Sequence, residues 1–248
     1  MTDRVPIAIG TAGWNIRSEH KPRFPSAGTH LERYARRLNA VEINSSFYRP
    51  HRPATYQRWA ASVPDGFRFA VKVPKEITHT KRLSDAAEDL DRFCGQCEAL
   101  GDRLGPLLVQ LPPSLRYQPE VARPFFAALR DRFRGNVACE PRHASWFTSA
   151  VDQELVGFRV ARVAADPAPA PGAQVPGGWP GLVYYRLHGS PEIYYSAYAP
   201  EVLGSVARAL VARADGGAAV WCIFDNTALG AATENALSTC ELAQLGLR

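Results

Sequence analysis

Long hydrophobic runs are missing from this sequence. No apolar stretch approaches the roughly 20 residues that span a bilayer, so no membrane-crossing helix is expected. The opening residues, M-T-D-R-V-P-I-A-I-G, lack the shape of a secretory signal and run directly into a strand-like segment. Both features point to a soluble, cytoplasmic protein. Lysine is scarce: it occurs only at 21, 72, 75 and 81, and arginine supplies the rest of the 29 basic residues. No five basic residues are consecutive, so the formal net charge of +5 reads first as a solvated arginine surface and second as attraction to an anionic partner. The cysteines number five at irregular spacing, which argues against a disulfide framework. Cys94-Gly95-Gln96-Cys97 has no second C-x-x-C to complete a zinc site. Leu90, Phe93, Cys97, Leu100 and Leu104 put it on the apolar face of a helix instead. The G-x-G-x-x-G, Walker, G-x-S-x-G and H-E-x-x-H patterns are all lacking, which argues against dinucleotide, P-loop, serine-hydrolase and zincin chemistry.

What is present is alternation. With 46% hydrophobic residues among 248, the chain can bury a full core. Eight strand-like apolar runs occupy 5–10, 40–43, 67–73, 106–111, 136–140, 158–165, 181–187 and 219–224. Helical patterns fill most gaps, at 29–38, 54–62, 86–104, 119–133, 199–214 and 229–245. A helix after Phe147 would be short, and the stretch 166–181 is a proline- and glycine-rich loop with no helical pattern. Strands alternating with helices imply parallel pairing with right-handed crossovers. Eight such units in one chain fit an α/β fold of a single domain, 1–248: a (β/α)8 TIM barrel with outer helices. An open doubly wound sheet is the alternative.

Neighbouring side chains on a strand point to opposite faces, so parity sorts the barrel interior from its helix-facing side. In the second, third, fourth, fifth and seventh runs one parity is apolar. The other ends in a polar residue near the strand's C-terminal end, where barrels of this type carry their sites. The inward set is Glu42, Asn44, Lys72, Gln110, Glu140, Arg142, Arg186 and His188. Trp14, Tyr48, His79 and His143 lie in nearby loops, and either Asp225 or Asn226 faces in. Lys72, Arg142 and Arg186 outnumber Glu42 and Glu140 by one positive charge, which suits a carboxylate or phosphate. Glu42, Lys72, Glu140 and His188 are the catalytic candidates. Trp14, Asn44, Tyr48, His79, Gln110, Arg142, His143, Trp146, Arg186 and Asn226 are the substrate-binding candidates. No cofactor is expected. A divalent metal on Glu42, His79, Glu140, His143, His188 and Asp225 is the weaker reading, because the three cations would repel it.

Seven stretches carry a further signal: I-G-T-A-G-W (9–14), V-E-I-N-S-S-F-Y-R-P (41–50), F-A-V-K-V-P-K-E-I-T-H (69–79), L-G-P-L-L-V-Q-L-P-P-S (104–114), C-E-P-R-H-A-S-W (139–146), Y-Y-R-L-H-G (184–189) and F-D-N-T-A-L-G-A-A-T-E-N-A (224–236). In this order they resemble the YecE-like family, domain of unknown function 72. The resemblance implies a TIM barrel and no particular activity. Its motif residues fall on most of the candidates above and on Phe47. At Asp225 the family pattern usually has asparagine, and 166–181 matches no family motif. The expectation is an enzyme acting on an anionic small molecule at the C-terminal mouth. The alternatives are a nucleic-acid-acting barrel, such as a metal-assisted phosphodiesterase of the endonuclease IV type, or a non-catalytic metabolite-binding module. No oligomeric state is implied.

Overall fold

The computed structural model describes residues 7–246. The chain runs β1 (Ala8–Ala12), α1 (His30–Ala35), β2 (Ala40–Ile43), α2 (Ser45–Tyr48), α3 (Pro53–Ala61) and β3 (Arg68–Lys72). It continues with α4 (Ala87–Cys97), β4 (Leu104–Gln110), α5 (Pro119–Arg132), β5 (Val137–Glu140) and α6 (Ser149–Gly157). The last third holds β6 (Val160–Arg162), β7 (Ala164–Asp166), β8 (Gly177–Gly178), β9 (Leu182–Leu187), α7 (Pro200–Asp215), β10 (Ala219–Phe224) and α8 (Ala231–Gly246). The first two residues of the expected strand 5–10 lie outside the described residues.

The strands form one nearly closed barrel sheet in the order β7-β9-β10-β1-β2-β3-β4-β5-β6-β8. Every pairing is parallel except that of β8 with β6. Ten segments stand where eight strands were expected, for two reasons. The sixth run is divided at Val163: β6 pairs with β5, while β7 pairs with β9. The amide of Val163 still donates to the Cys139 carbonyl, so residues 160–166 are bonded to neighbours on both sides. The loop after β7 then contributes the two-residue β8, with Gly177 and Gly178 lying against Arg162 and Ala161. Helix α6 is longer than the sequence pattern implied. Its nine residues follow Thr148, whose hydroxyl accepts from the Val151 amide and caps the first turn.

Parity sorts the core as the alternation requires. Ala40, Ala70, Leu108, Ala138 and Ala161 face one another inside the barrel with Tyr184 and Trp221. The alanines leave room for those two rings, which stack at 6.0 Å. Val41, Phe69, Val71, Leu107, Val109 and Val137 take the opposite face, in the cluster that includes the helices. Cys94 and Cys97 are buried free thiols on α4, and all five cysteines are unpaired. Between β1 and β2 the backbones come very close: a Cβ on Gly10 would lie 1.9 Å from the Ala40 carbonyl oxygen. Tyr34 of α1 fixes this approach, its hydroxyl accepting from the Thr11 amide at 2.8 Å and donating to the Ala40 carbonyl at 3.0 Å. No helix among the described residues is long and apolar enough to cross a membrane.

Candidate functional site at the barrel mouth

Above the alanine layer the inner faces turn polar. Glu42 ends β2's inward set, Lys72 ends β3, Glu140 ends β5, Arg186 and His188 close β9, and Asp225 follows β10. These six groups come from distant parts of the sequence and meet at one level of the barrel.

Arg186 is the hub, wholly buried. Its Nη2 donates to Glu42 Oε1 at 2.7 Å and to Asp225 Oδ2 at 2.9 Å. Its Nη1 donates to Glu140 Oε2 at 2.7 Å, and its Nε to Glu42 Oε2 at 3.1 Å. The Tyr184 hydroxyl also donates to Glu42 Oε2, at 2.8 Å. Burying a guanidinium and three carboxylates is costly unless nearly every donor and acceptor is matched, and here they are. Burial opposes the charge on Glu140, yet Arg186, Arg142 and His188 hold its carboxyl well below the usual range. Asp225 is likewise held low against burial, chiefly by Arg186.

His188 sits between two carboxylates. Its Nε2 is 2.7 Å from Glu140 Oε1 and its Nδ1 is 3.1 Å from Asp225 Oδ2. Both nitrogens face carboxylate oxygens, and the Arg142 Nη2 donor also lies 3.3 Å from Nε2; the two carboxylates favour the doubly protonated ring. Burial disfavours that charge, but Glu140 and Asp225 outweigh it and raise the pKa. Tyr194 covers the ring edge-on at 5.9 Å. Arg142 reaches in from beyond β5, its Nη2 donating to Glu140 Oε1 at 3.1 Å. Its Nε has no hydrogen-bond partner among the described residues.

Lys72 stands apart from this matched set. It is 8% exposed, and among the described residues no carboxylate comes within ion-pairing distance of its Nζ. The Nζ instead rests 4.1 Å from the centre of the Phe47 ring. Burial, followed by repulsion from Arg186, lowers its pKa to about 8 against the pull of Glu42, Glu140 and Asp225. With His188 protonated, three carboxylates balance Arg186, Arg142 and His188, and Lys72 is the surplus cation. His79 packs edge-on against Phe47 at 5.0 Å, and burial and Lys72 lower its pKa.

The other candidates lie elsewhere. The Gln110 amide is turned to the Leu111 carbonyl. Trp146 is a core residue, its Nε1 donating to the Leu115 carbonyl and its ring edge-on to Tyr117. His143 accepts from the Ser145 amide and caps a short turn. Asn226 points away from Asp225, donating to the Ser196 carbonyl and to Asn235 Oδ1. Tyr48 is exposed on the rim. Trp14 and Asn44 share a cleft of about 280 Å³ between the loops after β1 and β2, and Asn44 Oδ1 is buried without a partner. Candidate selection passed over Tyr184, although it shares parity with Arg186. Phe47 is marked only by the family motif, and Tyr194 reads from the sequence only as a core or stacking aromatic. Among the described residues no three of His, Cys, Asp and Glu are grouped to hold a metal ion; Arg186 and His188 occupy the carboxylates.

The chain is similar to curated proteins, to solved structures and to a family model. YecE of Escherichia coli K12 is 30% identical over 153 residues, 60% of this chain and 53% of that protein. YunF of Bacillus subtilis 168 is 26% identical over 162 residues, 61% of this chain and 56% of that protein. The matched region thus spans about half the length of either. Crystal structures of DUF72 family proteins share the fold over 96% of this chain. The one from Enterococcus faecalis V583 superposes with a TM-score of 0.81 at 23% identity over 96% of its length. The one from Thermotoga maritima MSB8 gives 0.78 at 23% over its full length. The family model described as Protein of unknown function DUF72 matches residues 8–247, and the chain belongs to that family.

Proposed function

We propose that this protein is an enzyme acting on an anionic small molecule at the C-terminal mouth of a (β/α)8 TIM barrel. The barrel reading rests on residues 160–166. If β6 and β7 count as one strand and β8 as a loop insertion, eight parallel strands remain, with residues 160–166 bridging β5 and β9. The functional reading rests on one observation: beside a buried, charge-matched network lies a surplus cation, Lys72, with no acid within ion-pairing distance among the described residues. Structural ion-pair clusters gain nothing from an unpartnered lysine, so its retention argues for a ligand that supplies the missing charge.

The roles divide by depth. Glu42 and Tyr184 have no exposed surface and hold Arg186, which holds Glu140 and Asp225. Arg186 is thereby spent within the protein, and Arg142, with donors to spare, is the anchor for the ligand's anionic group. His188, kept protonated by Glu140 and Asp225, supplies a proton where charge develops on the substrate. No resident cofactor enters this scheme. The test is calorimetric titration of phosphate and of oxalate into wild type, Lys72→Met, Arg142→Ala and the exposed control Arg58→Ala. The reading expects binding weakened at least tenfold in the first two variants and unchanged in the control. Equal binding in all four would overturn it.

A nucleic-acid-acting barrel is the second reading, favoured by the exposed rings of Tyr48, Tyr194 and Tyr195. It expects a labelled single-stranded oligonucleotide to bind with steep salt dependence, and no binding at low salt would remove it.

A further inference from the structure

Four lysines are present, and their surroundings differ sharply. Lys21 and Lys75 are exposed, and Lys81 is paired with Asp89 at 2.7 Å. Only Lys72 is buried, at the end of β3. Its Nζ sits on an aromatic face with no acid within ion-pairing distance among the described residues. A lysine that serves as a fixed anion clamp or a structural ion pair is better left protonated, with a carboxylate near. A desolvated lysine beside another cation is the arrangement that yields a nucleophilic amine.

We propose that Lys72 is an amine nucleophile that condenses with a small aldehyde or ketone carrying a carboxylate or phosphate, the anionic group being held by Arg142. This rests on the anion-binding reading above and adds the substrate's reactive group. The Nζ lone pair attacks the carbonyl carbon, the C=O π pair moves to oxygen, and the nitrogen loses a proton to that oxygen through solvent, giving a neutral carbinolamine. The hydroxyl then leaves as water, taking a proton from the His188 imidazolium. The nitrogen lone pair closes the C=N bond. Amine, carbonyl compound and one proton become protonated imine and water, and no oxidant or reductant is consumed. Hydrolysis returns the proton to His188. The imine draws electrons from the adjacent carbon, so the reaction class is one that passes through a carbanion there.

The depressed basicity of Lys72 is consistent with this role. With a pKa of about 8, roughly one molecule in ten carries the free amine at pH 7. An ordinary lysine near 10.4 offers about one in 2,500.

The experiment is reductive trapping. The full protein is incubated at pH 7 with sodium cyanoborohydride and, separately, glyoxylate, pyruvate, dihydroxyacetone phosphate or acetone, and the adducts are located by peptide mass spectrometry. Lys75, exposed and three residues away, is the internal control. The expected result is labelling of Lys72 at least tenfold faster than Lys75 by an anionic carbonyl compound, with saturation. Acetone gives no such preference, and Arg142→Ala loses it. Faster labelling by pyruvate and glyoxylate assigns a carboxylate; faster labelling by the phosphate ester assigns a phosphate. If phosphate or oxalate binds by calorimetry but Lys72 is labelled no faster than Lys75, the imine proposal is overturned and the anion site stands. If neither anion binds and no adduct forms on Lys72, both fall together.

Discussion

Asp225 shows how much one side chain decides. Among the described residues it is the only partner of His188 Nδ1, and it is one of three acids on Arg186. Asp225→Asn removes a negative charge without removing bulk, so the His188 pKa falls. Imidazole NMR shifts across pH 5–9 would report this, and an unchanged midpoint would assign the imidazolium to Glu140 alone. Lys72 and Arg186 make a contrasting pair. Arg186→Met strands three buried carboxylates and costs about 3–5 kcal/mol. Lys72→Met removes a cation that no acid offsets, so it leaves stability unchanged or raises it by about 1 kcal/mol. Urea unfolding measures both; a loss above about 2 kcal/mol in Lys72→Met would make the lysine structural. The sequence made the inner set legible because alternation holds along a strand and one or two residues past its end, which is how Arg142 and His188 were placed. Alternation says nothing of residues further out, so His143, Tyr48 and Trp14 are candidates only by nearness in sequence, and Trp146 packs in the core. Asn226 fails for the opposite reason, since parity that brings Asp225 in turns its neighbour out.

At the scale of elements, the tightest constraint lies between β1 and β2. The Ala40 carbonyl occupies the space a side chain at 10 would need. Gly10→Ala therefore forces the strands apart and costs about 3 kcal/mol. Thr148→Ala removes the α6 cap and costs about 1 kcal/mol. Thermal unfolding would rank the two, and the reverse order would contradict the packing described. The elements that sequence reading missed are those with weak periodicity. Helix α2 is four residues long and α6 spans nine with little apolar bias, so neither offers a stripe to read. The β6–β7 division reflects pairing with two different neighbours, which no local pattern encodes, and β8 is two glycines held by Arg162 and Ala161. Strands β2 and β10 match their expected bounds because the barrel buries both of their faces.

For the whole molecule, the network sets how stability varies with pH. Glu140 and Asp225 have lowered folded pKa values, so their contribution is present above the ordinary carboxylate range near 4 and is lost as pH falls through the folded values. His188 is raised, so its contribution is full below about 6.5 and is lost as pH rises through the folded value. Lys72 acts the other way. Between about 8 and 10.4 the unfolded chain holds the proton that the folded one has released, and stability rises with pH. The advantage of Lys72→Met over wild type should therefore shrink from pH 7 to pH 10, as read by urea midpoints; a constant difference would mean that Lys72 titrates normally. All of this depends on one arrangement, in which acids and bases from five strands meet at a single rim, and on the proposed binding of an anion there. The most direct test is a crystal soaked in selenate and imaged at the selenium edge. An anomalous peak within hydrogen-bonding distance of Lys72 Nζ and the Arg142 guanidinium is the predicted result. Peaks confined to surface arginines, with Lys72 paired to Glu42, Glu140 or Asp225, would contradict it.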